Sequence, residues 1–178
     1  MQNKPFILAV DGHDGTGKTT LTRRLAQALK AEYVRPYGDP YGPALLEAAD
    51  GKDFTALIDV ANQAYQQVLK LHGEKPLLVF DRLWITLFTL LPETHHRLWT
   101  HRPATAICWI DLNTTLARLA DRDEQTYPNS WHKRYVELYL HLGKQYQCTV
   151  INTQINDEEK ALALLIDWAS REIERAER

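Results

Sequence analysis

Cysteine is scarce in this chain, with only two among 178 residues. Cys108 and Cys148 each lie inside an apolar run that is typical of a buried strand, and their separation fits no metal-binding spacing. We therefore expect both thiols to be small core side chains of a protein in a reducing compartment.

Long hydrophobic runs are also missing. No run approaches the ~18 apolar residues of a membrane span, and residues 1–5 contain no apolar signal core. These absences predict a soluble, cytoplasmic protein with no membrane partner.

Neither sign of charge dominates the chain, because its formal net charge is −2. A global basic field, and with it strong sequence-independent binding to nucleic acid or anionic membranes, is therefore not expected, although a local basic groove is compatible with this balance. No internal repeat, low-complexity tract or interdomain linker interrupts the sequence. We predict a single domain over residues 1–178.

The clearest motif is Gly12–Thr19, which reads G-H-D-G-T-G-K-T and fits the pattern G-x-x-x-x-G-K-[ST] between an apolar run and a helix-like stretch. In such a loop the glycines let successive backbone N–H groups face phosphates, and the following helix adds its positive N-terminal end. Lys18 is expected to reach the β- and γ-phosphates of ATP, and the Thr19 hydroxyl to hold Mg²⁺. The predicted nucleotide-binding residues are Gly12, His13, Asp14, Gly15, Thr16, Gly17, Lys18, Thr19 and Thr20.

Near-continuous apolar runs alternate with helix-like stretches along the chain. Strands are predicted at 6–10, 33–34, 77–80, 107–110 and 148–151, and helices at 18–31, 44–49, 54–71, 114–120, 131–146 and 157–175. This alternation predicts an α/β fold of three layers, in which helices cover both faces of a central five-stranded parallel sheet. Ligands of such sheets bind beyond the carboxyl ends of the strands, where Gly12, Asp81 and Asp111 are expected.

The second chemical signal is Asp81–Arg82, which follows the apolar strand 77–80 and has the form of a Walker B strand. A carboxylate at this edge can bind Mg²⁺ directly or through water, and the guanidinium of Arg82 can clamp a phosphate at two points. The structural alternative is that Asp81 caps the next helix while Arg82 lies in solvent.

Two further aspartates flank the first glycine of the loop. Asp11 ends the first strand beside the expected γ-phosphate, so it is a candidate proton acceptor or a member of the magnesium shell. Asp14 lies inside the loop, where phosphates would repel its carboxylate, so we expect it to turn toward an acceptor or a neighbouring cation. For both residues a turn-forming Asx contact is the structural alternative.

The third signal is a pair of arginines, Arg118 and Arg122, which lie four residues apart and therefore on one face of a helix. Phosphoryl transfer spreads negative charge over the transferred group, and two arginines closing over it would stabilise that charge and exclude water. We predict a lid over about 117–130. The alternative is a solvated helix in which the arginines pair with Asp121 or Asp123.

Taken together, these motifs resemble the thymidylate kinase group of P-loop nucleotide kinases, in order and over most of the chain. Asp14–Thr20 looks like the D-G-x-G-K-[ST]-T loop, Pro36–Gly42 is similar to the P-G-G-T-P-x-G segment, and Asp81–Arg82 matches the D-R pair. The resemblance implies a P-loop kinase fold and an acceptor phosphate held by Arg82. It also implies that Arg118 or Arg122 supplies the arginine that the loop itself lacks. Members of that group often form dimers, which makes a homodimer one expected state.

The sequence departs from that group on the acceptor side. Val34–Arg35 stands where the group carries Arg-Glu, and the stretch 60–63 replaces a D-R-A-Q type sequence whose arginine helps to read thymine. Asn62 or Gln63 can still hydrogen-bond a base edge. The predicted acceptor-binding residues are Arg35, Tyr37, Asn62, Gln63 and Arg82.

Two enzymatic functions follow from these residues. The first is a Mg·ATP-dependent kinase that transfers the γ-phosphate to a (deoxy)nucleoside monophosphate, an acceptor that is already an anion and needs positioning more than a base. The second is a kinase acting on a hydroxyl of a nucleoside or of a hydroxymethyl pyrimidine in DNA, and in the DNA case nucleic acid would be the acceptor. This reaction needs a general base, which Asp11 or Asp81 could supply. The predicted catalytic residues are Lys18, Asp11, Asp81, Arg82, Arg118 and Arg122, with ATP and Mg²⁺ as cofactors.

A nucleotide-dependent switch without a small acceptor is the third, less favoured function, because residues 113–116 do not fit the N-K-x-D signature of GTP-binding switches.

The segment 94–102 concentrates three histidines, two arginines and a tryptophan. Since no nearby acid or cysteine completes a metal-binding set, we favour a solvated loop or helix. The alternative is a contact with an extended anionic acceptor, with Trp84 or Trp99 stacking on a base.

Overall fold

Five parallel strands form the centre of the computed structural model, which describes residues 4–122 and 127–178. The strands are β1 (Phe6–Asp11), β2 (Glu32–Val34), β3 (Leu77–Asp81), β4 (Ala104–Trp109) and β5 (Thr149–Asn152). They are ordered β2-β3-β1-β4-β5, and every pairing is parallel. The prediction of an α/β fold around a five-stranded parallel sheet is confirmed.

Helices connect the strands and cover the sheet. They are α1 (Lys18–Ala28), α2 (Tyr41–Asp50), α3 (Phe54–His72), α4 (Trp84–Leu90), α5 (Leu112–Ala120), α6 (Asn129–Gln145) and α7 (Glu158–Ala176), with a 3-10 helix at Glu93–Leu98. Aspartates begin three of them, because the side chains of Asp53, Asp111 and Asp157 each accept a hydrogen bond from a backbone N–H three residues later. Within the described ranges, none of these helices is sufficiently long and apolar to span a membrane.

Side-chain alternation along the strands divides the core into two halves. In β1, Leu8 and Val10 pack in one cluster with buried residues of α1 and α7. Ala9 faces the opposite side, where it packs with residues of α3, α4 and α6. Helices therefore lie on both faces of the sheet, and the loops at its carboxyl edge are left to form a site.

Helix α4 was not predicted from the sequence. Most of its residues are apolar and five of the seven are buried. The sequence therefore lacks the alternation of apolar and polar faces from which a surface helix is predicted. The helix begins without a local side-chain cap. Its first turn is instead anchored by Asp11, whose carboxylate accepts hydrogen bonds from the backbone N–H groups of Leu83 and Thr86 at 3.1 and 3.0 Å.

The proposal that Trp84 or Trp99 stacks on a base is wrong, because the two side chains are only 4% and 1% exposed. The Trp84 indole N–H donates to the Thr105 hydroxyl at 2.7 Å, and that of Trp99 to the His101 carbonyl at 2.6 Å. His96 is buried as well and stacks on Phe88, with ring centroids 3.9 Å apart. Within the segment 94–102, His96 and Trp99 are therefore core residues, whereas Arg97, Thr100 and Arg102 are exposed.

The inner face of α3 offers a direct test of the fold. Leu57 is fully buried, whereas Leu71, near the other end of the helix, is 57% exposed. Leu57→Ala should lower the free energy of unfolding by about 2–5 kcal/mol. Leu71→Ala should change it by less than about 0.5 kcal/mol. Urea denaturation of both variants measures the difference, and equal losses would contradict this orientation of α3.

Candidate active site

The loop between β1 and α1 has the backbone of a phosphate-binding loop. At Gly12, where φ is 149°, a Cβ atom would lie 2.4 Å from the Cys108 carbonyl oxygen, so only glycine fits. Gly17 has φ of 78° and precedes α1 in the left-handed conformation that glycine adopts most readily. The loop therefore delivers the first turn of α1, with its unpaired N–H groups, to the carboxyl edge of the sheet.

Side chains bind four carbonyl groups of this loop, and three of these side chains lie outside it. The four contacts, with donor–acceptor distances of 2.7 to 3.1 Å, are Arg82 to the Gly12 carbonyl, Thr16 to His13, Arg118 to Gly15 and Thr153 to Thr16. Because the carbonyls are engaged outward, the N–H groups of the loop are left for an anion.

Lys18 and Arg82 share one carboxylate. The Asp14 Oδ1 atom lies 2.5 Å from Arg82 Nη2 and 3.7 Å from Lys18 Nζ. Burial, and then repulsion from Arg82, lowers the pKa of Lys18 to about 8. Burial raises the pKa of Asp14, but the charges of Arg82 and Lys18 outweigh it and bring the pKa down to about 2. Asp14 has thus turned toward neighbouring cations, as expected.

Thr19 and Asp81 meet beside the loop. The Thr19 hydroxyl donates to Asp81 Oδ2 at 2.7 Å, and the Tyr33 hydroxyl donates to the same oxygen at 2.9 Å. The other carboxylate oxygen, Oδ1, is buried and has no hydrogen-bond partner among the described residues. An unpartnered carboxylate oxygen next to a hydroxyl fits Mg²⁺, which prefers oxygen ligands and is usually held by one or two protein groups with phosphates and water.

Asp11 is wholly buried and faces α4. Besides the backbone contacts described above, its carboxylate accepts a 2.5 Å hydrogen bond from the Thr86 hydroxyl, which lies 2.7 Å from the Tyr139 hydroxyl. Burial raises its pKa, and the Thr86 hydrogen bond opposes that rise. These contacts are those of a group that positions α4. The proton-accepting or magnesium-binding role of Asp11 stays a prediction.

Two cavities open at the carboxyl edge and share a wall. The phosphate cavity, of about 390 Å³, is lined by Lys18, Thr19, Arg122 and His132. The aromatic cavity, of about 480 Å³, is lined by Tyr37, Trp131, Tyr135 and Tyr139 among other residues. Four residues line both cavities: Asp14, Arg35, Arg82 and Tyr127.

The arginines predicted to form a lid have different surroundings. Arg118 is fixed, because it donates to the carbonyls of Gly15 and Thr153 at 3.1 and 2.8 Å. Arg122 is exposed and lines the phosphate cavity. Both also line an outer groove of about 380 Å³ together with Thr153 and Asn156. The predicted lid over 117–130 covers the end of α5 and the start of α6, and its residues 123–126 lie outside the described part of the chain.

The structure brings only part of the predicted acceptor set together. Arg35, Tyr37 and Arg82 line the aromatic cavity, whereas Asn62 and Gln63 do not. The inner face of α3 is occupied by Ala61, Ala64 and other apolar residues, and Gln63 is exposed. The rings of α6 that line the cavity were missed as site residues. Their signal was the i, i+4 spacing of Trp131, Tyr135 and Tyr139, which places them along one face of α6.

His13 and His132 form a buried pair that sequence reasoning did not connect. Their Nε2 and Nδ1 atoms are 2.9 Å apart, although 119 positions separate them in the chain. The His13 ring also stacks on Tyr135, with centroids 5.9 Å apart. Burial lowers the pKa of His13 to about 4, and the nearby Asp14 carboxylate opposes that decrease.

Solved structures with the same fold exist. A structure of deoxyadenosine kinase from M. mycoides with the products dCMP and a flexible dCDP has a TM-score of 0.65 at 15% identity, covering 93% of this chain and 100% of that one. The YorR protein from Bacillus subtilis, in complex with phosphorylated GDP, has a TM-score of 0.65 at 16% identity, covering 94% of this chain and 98% of that one.

A second M. mycoides deoxyadenosine kinase structure, with bound dATP, gives a TM-score of 0.66 at 16% identity over 93% of this chain and 100% of that one. No protein-family model and no curated protein matches the chain. The chain therefore has the fold of these P-loop kinases.

His13 is expected to make the fold sensitive to acid. Its pKa is about 4 in the folded chain against an ordinary 6.5, so between these values the unfolded chain binds more protons and stability falls as the pH decreases. This group alone should lower the free energy of unfolding by about 2 kcal/mol between pH 7 and pH 5. The decrease should be smaller by that amount in His13→Gln. Urea denaturation at both pH values measures it, with exposed His141→Gln as the control. Equal decreases in wild type and His13→Gln would refute the prediction.

Proposed function

We propose that this protein is a Mg·ATP-dependent kinase that transfers the γ-phosphoryl group to a (deoxy)nucleoside monophosphate. The observation that carries the proposal is the position of Arg35 and Arg82, which line both the phosphate cavity and the aromatic cavity. A monophosphate whose base lies in the aromatic cavity would present its anion to these guanidinium groups. Its oxygen would then face the terminal phosphate of a nucleotide bound by Lys18.

The donor half of the site is assigned to the loop Gly12–Thr19 and the outer groove. Loop N–H groups and Lys18 would bind the phosphates, while Thr19 and Asp81 would hold the magnesium ion. When bound, this ion neutralises charge on the β- and γ-phosphate oxygens. The outer groove, with Arg118 and Asn156, continues from Gly17 and Thr20 and is the surface on which the rest of the donor would lie.

The acceptor half is assigned to the aromatic cavity. Its rings offer faces on which a nucleobase can stack, a contact worth about 1–3 kcal/mol per base in single-stranded nucleic acid binding. The Tyr37 hydroxyl is buried there and has no hydrogen-bond partner among the described residues. A bound acceptor would meet a polar group that the protein itself leaves unsatisfied.

An anionic acceptor suits the junction of the cavities better than a hydroxyl, because a hydroxyl needs a general base. The carboxylates near the junction are already engaged by other groups, except for the Asp81 oxygen Oδ1, which is assigned to magnesium above. Asp14 pairs with Arg82 and Lys18, Asp11 accepts from α4, and Asp81 accepts from Thr19 and Tyr33. Arg35 adds a second cation where a phosphate would lie.

A hydroxyl acceptor is the second candidate. Two observations favour it: the exposed carboxylate of Asp39 lines the aromatic cavity, and the solved structures with this fold include deoxyadenosine kinase. The hydroxyl would belong to a nucleoside or to a hydroxymethyl pyrimidine in DNA, with Asp39 as an additional candidate base.

Turnover against a panel of acceptors tests the proposal. ADP formation from Mg·ATP should rise on addition of nucleoside monophosphates, and Lys18→Ala serves as the blank. Arg35→Ala should raise the KM for the monophosphate by roughly ten- to a hundredfold, because a charge-assisted hydrogen bond is lost. The KM for ATP should stay nearly constant.

The same panel includes deoxynucleosides and DNA that carries hydroxymethylated bases. Exposed Arg97→Ala, on the 3-10 helix, is the matched control for Arg35→Ala. Turnover only with a hydroxyl acceptor would replace the first proposal with the second. No turnover with any acceptor would favour the nucleotide-dependent switch.

Substitutions of the two arginines in the predicted lid should have different effects on kcat and on ATP affinity. Arg122 is free to reach the phosphate cavity, so Arg122→Ala should lower kcat by about a hundredfold or more with a small effect on ATP affinity. Arg118→Ala removes one contact to the Gly15 carbonyl of the phosphate loop and one to the adjoining Thr153 carbonyl, so it should weaken ATP binding and kcat together. Steady-state kinetics and calorimetric titration with ATP give both quantities. A reversed pattern would exchange the two roles.

A further inference from the structure

The His13–His132 pair lies between the two cavities. His13 lines the aromatic cavity and His132 lines the phosphate cavity, while the two residues are only 4% and 1% exposed. The His132 ring is held in place by neighbouring rings, with centroids 5.1 Å from that of Trp131 and 6.4 Å from that of Tyr127. None of the functional assignments above uses His132.

One nitrogen of His132 is paired and the other is not. Nδ1 lies 2.9 Å from His13 Nε2, whereas Nε2 is buried without a hydrogen-bond partner among the described residues. Leaving a buried polar atom unpaired costs free energy, and such atoms in native proteins commonly serve a ligand, an ion or a water molecule. The cavity that His132 lines also contains Lys18, Arg82 and Arg122. A ligand of this cavity is therefore an anion rich in hydrogen-bond acceptors.

Which nitrogen of His132 carries a proton depends on the direction of its hydrogen bond with His13. Burial keeps His13 neutral near pH 7, so its ring has one proton. With that proton on Nε2, His13 donates to His132 Nδ1, and because Nδ1 then accepts, the ring proton of His132 lies on Nε2. In this tautomer the unpaired nitrogen is a donor, which is what a phosphate oxygen requires.

We propose that His132 donates a hydrogen bond from Nε2 to a phosphate oxygen of the nucleotide bound at Gly12–Thr19, and that His13 is the positioning residue that selects this tautomer. The inference rests on the proposed function for the identity of the ligand as a polyphosphate. It adds a neutral nitrogen donor beside the charged side chains of Lys18, Arg82 and Arg122. Such a donor orients the phosphate without adding to the repulsion between Lys18 and Arg82.

A purely structural role for His132 would use only Nδ1, through which it holds the loop residue His13. Two substitutions separate these roles. The amide nitrogen of glutamine lies near the position of Nε2, so His132→Gln keeps a donor toward the phosphate. His132→Asn instead places its amide near the position of Nδ1 and removes the group at Nε2.

Calorimetric titration with sodium tripolyphosphate in magnesium buffer tests the proposal without turnover. His132→Asn should weaken binding by about tenfold, whereas His132→Gln should stay within about threefold of wild type. For the positioning residue, His13→Gln retains a donor toward His132 and should bind more tightly than His13→Leu. Lys18→Ala should also weaken binding of tripolyphosphate, which tests whether the anion binds at the phosphate loop.

Each outcome decides a separate point. Wild-type affinity in His132→Asn, or equal losses in His132→Asn and His132→Gln, would overturn the role of Nε2. Unchanged affinity in Lys18→Ala would instead overturn the assignment of the phosphate loop and with it the proposed function. Should a variant not fold, the His132 ring nitrogens of the wild-type protein can be followed by ¹⁵N NMR. The proposal requires a protonated Nε2 whose resonance moves on addition of tripolyphosphate, and an unchanged resonance would refute it.

Discussion

The hydrogen bonds of the Arg82 guanidinium are the constraint on which the candidate site depends. From the end of β3 this group donates to the Gly12 carbonyl, the Asp14 carboxylate and the Tyr139 hydroxyl, at 2.9, 2.5 and 2.9 Å. It thereby joins the phosphate loop to α6. Because the Asp14 side chain is 44% exposed, solvent screens the ion pair, and the constraint comes from several donors acting together. Arg82 adopts φ of 72°, a left-handed conformation that such contacts have to maintain.

The network behind Arg82 explains why a fully buried acid ends β1. Asp11 anchors the first turn of α4, and its contact with Thr86 continues to Tyr139 and so to Arg82. An unpaired buried carboxylate would be costly, but here both oxygens accept hydrogen bonds. The arrangement fixes α4 and α6 relative to the phosphate loop, which sets the wall between the phosphate cavity and the aromatic cavity. Catalysis of phosphoryl transfer is mostly positioning, so such rigidity would serve the proposed kinase.

Sequence reasoning succeeded where structure is decided by near neighbours and failed where it is decided across the chain. The phosphate loop and the five strands follow from local glycine spacing and continuous apolar runs, and all were predicted. Helix α4 was not, because its anchor is Asp11, which lies 72 positions before Leu83. His132 was missed for the same reason, since its partner is in the first loop. Asn62 and Gln63 were assigned by alignment to a motif, but the apolar face of α3 turns them away from the cavity.

The balance of charge at the junction of the cavities favours an anionic acceptor. Lys18, Arg35 and Arg82 bring three cations to its walls, and Asp14 already pairs with two of them. A magnesium ion at Thr19 and Asp81 would add further positive charge, which the donor phosphates would offset. Arg35, however, forms no ion pair with any residue that the structure describes, and it stands where the resembled group carries a glutamate. A phosphate on the acceptor would supply the missing negative charge, whereas a neutral hydroxyl would leave Arg35 unbalanced next to the reacting group.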